Sequence, residues 1–232
     1  MRGVFWLALC LLVSPLRAQD SLMIALESRL AALPDSQKRD AWRELARQHF
    51  FHSFKHPDSV EFRQAALAKG LLRATEARDT LLMAANHLEL ARFLPNDSAV
   101  RVLNFYKPIV DSVLKRDPSN IVASLIYASL SIEILKLGGF KTFLAKLFYG
   151  GLPQASYDSA LLYLLQTKLE GEFLAMTYYR LAECYFGLRN HRDAIESLNA
   201  CLKTEERYPY LDAYFKREAR KALERYYAER RR

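Results

Sequence analysis

The sequence predicts an all-α fold assembled from successive helix hairpins, and one stretch carries most of that prediction. Between residues 177 and 208, Tyr178, Leu181, Ala182 and Tyr185 recur at i, i+3, i+4 and i+7, on one face of a helix. The pattern breaks at 187–190, and a second apolar stripe follows at 194–202. Two helices of about 15 residues joined by a tight turn cannot bury both apolar faces alone, so further hairpins must stack against them.

The same stretch resembles a tetratricopeptide repeat (TPR), a helix-turn-helix unit of about 34 residues. Asn190 is the predicted N-cap of the second helix, with Asp193 as its acidic partner, and Arg189 stands where the repeat usually has a turn glycine. The aromatic, large apolar and small positions of the pattern are filled by Tyr178, Leu181, Ala182, Tyr185, Ala194, Leu198 and Cys201. The resemblance implies a right-handed α-solenoid of about four TPR-like helix pairs with N- and C-terminal capping helices.

The other helices are predicted from the same periodicity. Four pairs are expected, at 36–76, 79–118, 119–170 and 172–206, followed by a cap helix at 210–229. The first pair repeats the i, i+3, i+4, i+7 stripe with Trp42, Leu45, Ala46 and His49. Asp35 or Ser36 is expected to cap its first helix, while Pro57 and Asp58 are expected to begin its second.

Residues 1–18 are predicted to be a secretory signal peptide. Arg2 supplies the basic end, the apolar run 4–13 is too short to span a bilayer comfortably, and Ala18 offers a cleavage site. The alternative is an uncleaved anchor. We therefore expect a single domain over 19–232 that is exported to a periplasm or otherwise associated with the cell envelope.

The chain without this leader would be moderately basic. Loss of Arg2 and Arg17 leaves 32 basic against 26 acidic residues, a net charge of +6. That balance is compatible with peripheral contact with an anionic membrane surface or with an acidic protein. No nucleic-acid partner is expected, because such a partner needs a dense basic face with groove-entering or aromatic elements.

Two cysteines remain after the leader, Cys184 and Cys201, one on each helix of the 172–206 pair. An oxidising compartment would permit a disulfide between them. The alternative is two buried small apolar side chains. The separation of the two Cα atoms decides between these readings.

An insertion at 138–153 interrupts the third pair. Gly138-Gly139 and Gly150-Gly151 bracket a segment whose apolar face is formed by Phe140, Phe143, Leu144, Leu147 and Phe148. One interpretation is a short helix packed permanently in the hollow of the array. The other is a mobile amphipathic arm that covers a groove, docks a partner or touches a membrane.

The half of the chain from Leu147 onward also resembles the regulator of microtubule dynamics family, a TPR-like group. The resemblance rests on LFYGGLPQASYDSALLYL and on an LA-x-CY signature at Leu181, Ala182, Cys184 and Tyr185. It implies the helical fold. It does not extend microtubule binding to an exported protein.

No enzyme, cofactor or metal is predicted. The sequence has no Gly-rich phosphate loop before a helix, no nucleophile elbow and no paired zinc-type cysteines. His49, His52 and His56 would share one side of a continuous helix and could hold zinc. However, His49 falls on the apolar stripe and His56 precedes a proline where the helix should end, so we expect no metal there.

The function expected from these features is that of an exported, non-enzymatic scaffold that binds a protein or peptide partner. The first helix of each pair should line the hollow, and aromatic and arginine residues there are typical interface anchors. The predicted partner-binding face comprises Arg43, Arg47, Phe50, Met176, Tyr179, Glu183 and Phe186. The alternatives are a membrane-surface protein that uses the insertion and the basic C-terminal helix, and a carrier with a small molecule or lipid in the hollow.

Overall fold

The structure is a computed structural model that describes residues 15–94, 96–136 and 154–230. Most of the predicted leader and the whole 138–153 insertion, with its five apolar residues, lie outside the described residues. Every regular element of the described residues is helical and none is a strand, which confirms the all-α prediction. The α-helices are α1 (Pro15–Arg29), α2 (Asp35–His52), α3 (Val60–Glu76), α4 (Thr80–Ala91), α5 (Asn96–Arg116), α6 (Ile121–Lys136), α7 (Tyr157–Glu170), α8 (Leu174–Gly187), α9 (His191–Lys203) and α10 (Pro209–Arg230).

The caps of these helices agree only in part with the sequence. Asn190 caps α9 as predicted, since its Oδ1 accepts a hydrogen bond from the backbone N–H of Asp193 at 3.3 Å. The cap predicted for α2 is wrong: Pro34 precedes the helix without a side-chain bond, and Asp35 is already in the first turn. The start predicted for α3 is also wrong, because the cap is Ser59, whose Oγ accepts from the N–H of Phe62 at 3.3 Å. Pro57 and Asp58 belong to the turn before it.

The chain divides into two compact units, Met1–Asn86 (unit 1) and His87–Arg232 (unit 2), with the boundary inside α4. In unit 1, α2 and α3 pack around fully buried Leu45 and Leu67. Gly70 of α3 lies so close to its neighbours that a Cβ would overlap the buried Asn86 side chain and approach the Ala46 carbonyl to 3.3 Å. A glycine is therefore needed where these backbones meet.

Two histidines of α2, His49 and His52, contact acidic residues of α1. Nε2 of His49 lies 3.1 Å from Glu27 Oε1, and Nδ1 of His52 lies 3.0 Å from Asp20 Oδ1. His56 instead contacts the ring of Phe62 edge-on. None of the described side chains of α1, from residue 20 on, is buried. Polar contacts to α2 therefore contribute much of its attachment.

In unit 2, each helix from α5 to α10 packs against the next. Alternate helices also touch, since α6 contacts α8 and α8 contacts α10. The core consists of large apolar side chains with almost no exposure, among them Val110, Leu130, Ile132, Leu164, Leu181, Leu198, Leu211 and Phe215. This arrangement places one face of α8 opposite α10.

Two turns of the chain share one helix-ending geometry. Arg189 after α8 and Arg78 after α3 both have left-handed backbones, with φ of 60° and 54°. The following N–H reaches back to the carbonyl five residues earlier, from Asn190 to Tyr185 at 2.8 Å and from Asp79 to Ala74 at 2.9 Å. These bonds are those of a Schellman cap, in which glycine is the usual left-handed residue.

Candidate functional site

A groove of about 730 Å³ lies within unit 2 between the faces of α8 and α10. From α8 it is lined by Tyr179, Ala182, Glu183, Phe186 and Gly187. From α10 it is lined by Tyr214, Phe215, Glu218, Ala222, Arg225, Tyr226 and Glu229. The remaining lining residues are Arg92, Lys136, Tyr157, His191 and Leu198. A concave site with aromatic walls and a few charged groups is typical of binding sites.

The walls of the groove follow from helical periodicity. Tyr179, Glu183 and Phe186 fall at i, i+4 and i+7 of α8, so they share one face. Between the walls lies Ala182, which is buried and small enough to leave space open. Gly187 at the end of α8 also packs closely, because a Cβ there would overlap the ring of Tyr157.

The outer end of the groove is an aromatic cluster. The rings of Phe186 and Tyr226 have centroids 5.9 Å apart, and His191, the first residue of α9, lies 5.9 Å from Phe186 and 5.7 Å from Tyr226. These separations are within the range of favourable ring pairs. The cluster therefore joins three helices at one end of the groove.

The inner end is a network of charges around the buried Arg180. Arg180 of α8, which has no exposed surface, donates to Glu133 Oε1 at 3.0 Å and to Glu183 Oε2 at 2.7 Å. Arg92 donates to the same Glu133 oxygen at 2.6 Å, and Lys136 donates to Glu183. Of these residues, Arg92, Lys136 and Glu183 also line the groove. The groove therefore opens directly onto the network.

The network holds its residues in the charged state. Burial alone would raise the pKa of Glu133, but the charges of Arg180 and Arg92 outweigh it and lower the pKa to about 2. Burial would also raise the pKa of Glu183, but the charges of Arg180 and Lys136 lower it below its usual value. Burial, with the neighbouring Glu183, raises the pKa of the Tyr179 hydroxyl. At neutral pH the inner end therefore presents fixed charges beside a neutral phenol.

The structure distributes the predicted partner-binding residues among three environments. Tyr179, Glu183 and Phe186 line the groove. Met176 does not, and the prediction that it is available to a partner is wrong, because it is only 7% exposed. Its neighbours Ala175 and Thr177 are buried as well, so this part of α8 lies in the core.

The three residues predicted on α2 lie in unit 1 and are occupied locally. Arg43 pairs with Asp40 at 3.1 Å and with Asp79 at 2.9 Å, and Arg47 pairs with Glu44 at 2.5 Å. Phe50 makes edge-to-face contacts with Phe51 and Phe54. Their availability to a partner stays a prediction.

Sequence reasoning missed the second wall and the inner end of the groove. α10 was predicted only as a basic cap helix, yet its Lys216 is 9% exposed and donates to the Thr204 carbonyl at 2.7 Å. A usable signal existed in α6, where Glu133 follows twelve uncharged residues. A charge in such a setting requires a buried partner.

The remaining candidates for chemical activity lie in surroundings that are typical of structural residues. Cys184 and Cys201 are free, buried thiols, so the disulfide left open above is not formed. Burial raises the pKa of each to about 12, and the Cys201 thiol donates to the Ala175 carbonyl at 3.2 Å. Within the ranges that the structure describes, no group of residues has the arrangement of a metal site. Of the described helices, none combines the length and apolarity needed to cross a membrane.

Comparison with known proteins identifies the family. The chain matches no curated protein. The profile of the family Regulator of microtubule dynamics protein 1-3 matches residues 81–227, which is 147 of the 232 residues. The match covers α5 to α9 entirely and most of α4 and α10, including every residue that lines the groove except Glu229. The chain therefore belongs to the Regulator of microtubule dynamics protein 1-3 family.

Proposed function

We propose that this protein is a non-enzymatic, TPR-like scaffold that captures a segment of a partner protein in the groove of unit 2. The observation that carries the proposal is the aromatic lining on both walls, with Tyr179 and Phe186 on α8 opposite Tyr214 and Tyr226 on α10. Aromatic side chains supply large contact areas at low entropic cost, and they are enriched among residues that dominate binding energy.

The packing of alternate helices supports the TPR-like part of the proposal. In arrays of helix pairs, the first helices of successive pairs stand side by side and line one surface. Contacts between α6 and α8 and between α8 and α10 have this spacing, and the groove lies between α8 and α10. We extend the same interpretation to four right-handed pairs over 36–206, with α10 as the terminal cap.

The size of the groove suits a short peptide. Its lining on α10 runs from Tyr214 to Glu229, and 15 residues of helix rise about 22 Å. An extended chain covers about 3.3–3.6 Å per residue, so about six residues of a partner would fill that length. A helical segment of about 15 residues would also fit the length.

We further propose that the protein is exported by the signal peptide at 1–18 and works in the periplasm or at the cell envelope. Microtubules, which the family name mentions, are not proposed as the partner because export would separate the chain from them. Expression with the native leader, followed by measurement of the intact mass, tests this part. A mass that retains residues 1–18 would contradict cleavage.

The capture experiment compares the full chain with a double variant, Phe186→Ala with Tyr226→Ala, in pull-downs from envelope extract. Phe105→Ala is the matched control, since Phe105 is an aromatic residue of unit 2 that is 60% exposed and outside the groove. We expect a partner that the wild type and the control retain and the double variant loses. Equal capture by all three proteins would refute the groove as the binding site.

Two other outcomes would redirect the assignment. Flotation with liposomes of anionic lipid, abolished by truncation of the exposed basic residues of α10, would favour a membrane-surface role. A bound small molecule or lipid in native mass spectra would favour a carrier. Either result without peptide capture would replace the proposal.

A further inference from the structure

We infer that the inner end of the groove selects its peptide through an acidic side chain placed next to an aromatic or aliphatic residue. The inference rests on the proposed function and names the chemistry of the partner segment. The carboxylate would lie at Lys136 and Arg92, and the apolar neighbour would contact Tyr179 and Tyr214, which line the same part of the groove.

The first argument is the pattern of hydrogen bonds in the charged network. Arg92, Lys136 and Arg180 make all their hydrogen bonds within the network to only two carboxylates, those of Glu133 and Glu183. One oxygen, Glu133 Oε1, accepts from both arginines. The third carboxylate of the network, Glu89, forms ion pairs with Arg92 at 3.6 Å and with Arg180 at 3.8 Å, longer than a hydrogen bond.

The second argument is the state of Arg180. Its side chain has no exposed surface, yet its Nε and Nη2 atoms have no hydrogen-bond partner among the described residues. A buried charged group with unsatisfied donors is destabilising, so a network of this kind gains from any further acceptor. An added carboxylate at Arg92 and Lys136 would relieve Glu133 and Glu183, which could then turn more fully toward Arg180.

The third argument is access from the groove. Lys136 is 41% exposed and Arg92 is 27% exposed, and both line the groove, whereas Arg180 lies behind them. These two residues are therefore the cations that a ligand can touch. Charge-assisted hydrogen bonds to Lys and Arg are short and strong relative to neutral ones.

The charged residues on the opposite wall, α10, do not cancel the preference for an acidic side chain. Glu218 of α10 faces the groove, but it is paired with Lys221 at 3.1 Å and with Arg217 at 3.4 Å. Toward the outer end, Arg225 and Glu229 of α10 line the groove with opposite charges. A basic side chain at the inner end would meet Lys136 and Arg92, while the carboxylates beside them, Glu133 and Glu183, are already bonded to these cations.

The test is a selection of randomised twelve-residue peptides, displayed on phage, on the full-length chain. We expect enriched peptides to contain Asp or Glu beside an aromatic or aliphatic residue. In a synthetic enriched peptide, replacement of that acid by its amide should weaken binding about tenfold or more, which equals about 1.4 kcal/mol or more. Lys136→Met and Arg92→Met should weaken it similarly, and the control Lys115→Met, at an exposed lysine of α5, should not.

A charge exchange separates recognition from a structural effect of these substitutions. Lys136→Glu should lose the acidic peptide and bind better to a version in which lysine replaces the acid. Enrichment of basic or neutral peptides, or acidic peptides that bind the Lys136 and Arg92 variants as well as the wild type, would overturn this inference and leave the proposed function standing. Failure to enrich any peptide over an empty support would count against both.

Discussion

α8 in unit 2 and α2 in unit 1 carry similar faces of aromatic and charged residues, but only that of α8 lines the groove described here. Tyr179, Glu183 and Phe186 of α8 lie across from α10. The arginines of α2 instead pair with acidic residues of unit 1, Arg43 with Asp40 and Asp79 and Arg47 with Glu44. A helix face with suitable residues therefore becomes a candidate site only when a second element supplies the opposite wall.

The two helices also bury polar groups in different ways. α8 buries Arg180 within a network of full charges, while α2 buries His49 against Glu27. Full charges buried together are costly to separate, because removal of one leaves the others without compensation. A neutral imidazole is less costly to bury but changes its charge near neutral pH. The two units should therefore lose stability under different conditions. Unit 2 should lose stability when a buried charge is removed, and unit 1 when the pH falls.

The largest expected effect is the loss of Arg180. Arg180→Leu would leave Glu133 and Glu183 buried with fewer cations, so we expect unit 2 to lose about 3–5 kcal/mol of unfolding free energy. Arg43→Leu in unit 1 is the matched comparison, because Arg43 also bonds two carboxylates but its side chain is 50% exposed. Its loss should cost about 1 kcal/mol or less. Urea unfolding followed by circular dichroism measures both, and equal losses would contradict the contrast between buried and exposed pairs.

Next in size is the effect of a methyl group at the two tightly packed glycines, one in each unit. Gly70→Ala would force the added carbon into the buried Asn86 side chain, and we expect a loss of about 2 kcal/mol. Gly187→Ala would push the half-buried ring of Tyr157 out of its place beside the groove. Because that ring can turn toward solvent, stability should change by less than about 1 kcal/mol.

The second glycine should affect binding more than folding. Tyr157 lines the groove, so Gly187→Ala should weaken a selected peptide several-fold, measured by fluorescence polarisation. Gly70→Ala should leave the affinity unchanged at a temperature where the variant is folded. The reverse pattern would show that the groove is not the peptide site.

Acidification should separate the units by the chemistry of their buried groups. Burial lowers the pKa of His49 despite the opposing effect of Glu27, and Lys69 and Arg73 act in the same direction as burial. Burial also lowers the pKa of His52, with Asp20 opposing it and Lys55 and His49 adding to it. The unfolded chain then binds more protons than the folded one below about pH 6.5, so stability falls as pH falls through that window.

Glu133 has the opposite charge type and a lower window. Its folded pKa of about 2 lies below its unfolded value of about 4.5, so its contribution is complete above pH 4.5 and is lost as pH falls toward 2. Burial also lowers the pKa of His87 in unit 2, as it does for the two histidines of unit 1.

In a Trp6→Phe background, Trp42 fluorescence should show a urea midpoint for unit 1 that drops between pH 7.5 and 5.5. His49→Gln should flatten that drop, and an unaltered slope would contradict its origin in His49.

Some features that depend on near neighbours in sequence could be predicted here, although the caps of α2 and α3 were not, and features that depend on distant residues could not. The turn between α8 and α9 was predicted because Asn190 and the residues that it contacts lie within one short segment. The network was missed because Arg180 meets a carboxylate 47 residues away, at Glu133. Met176 was misplaced because helical period alone does not show that this part of α8 lies in the core.

The smallest expected effect concerns the two left-handed arginines. An arginine with φ near +60° is strained by about 1–2 kcal/mol, and glycine removes that strain while adding unfolded-state entropy worth about 0.5–1 kcal/mol. Arg189→Gly and Arg78→Gly should therefore each stabilise the protein, by up to about 1 kcal/mol. The gains should be similar, because the two turns share the same hydrogen bonds. Arg39→Gly, at an exposed position inside α2, should instead destabilise by about 1 kcal/mol in the same urea titration. A loss of stability at Arg189 as large as that at Arg39 would mean that the arginine side chain contributes contacts that outweigh the backbone strain.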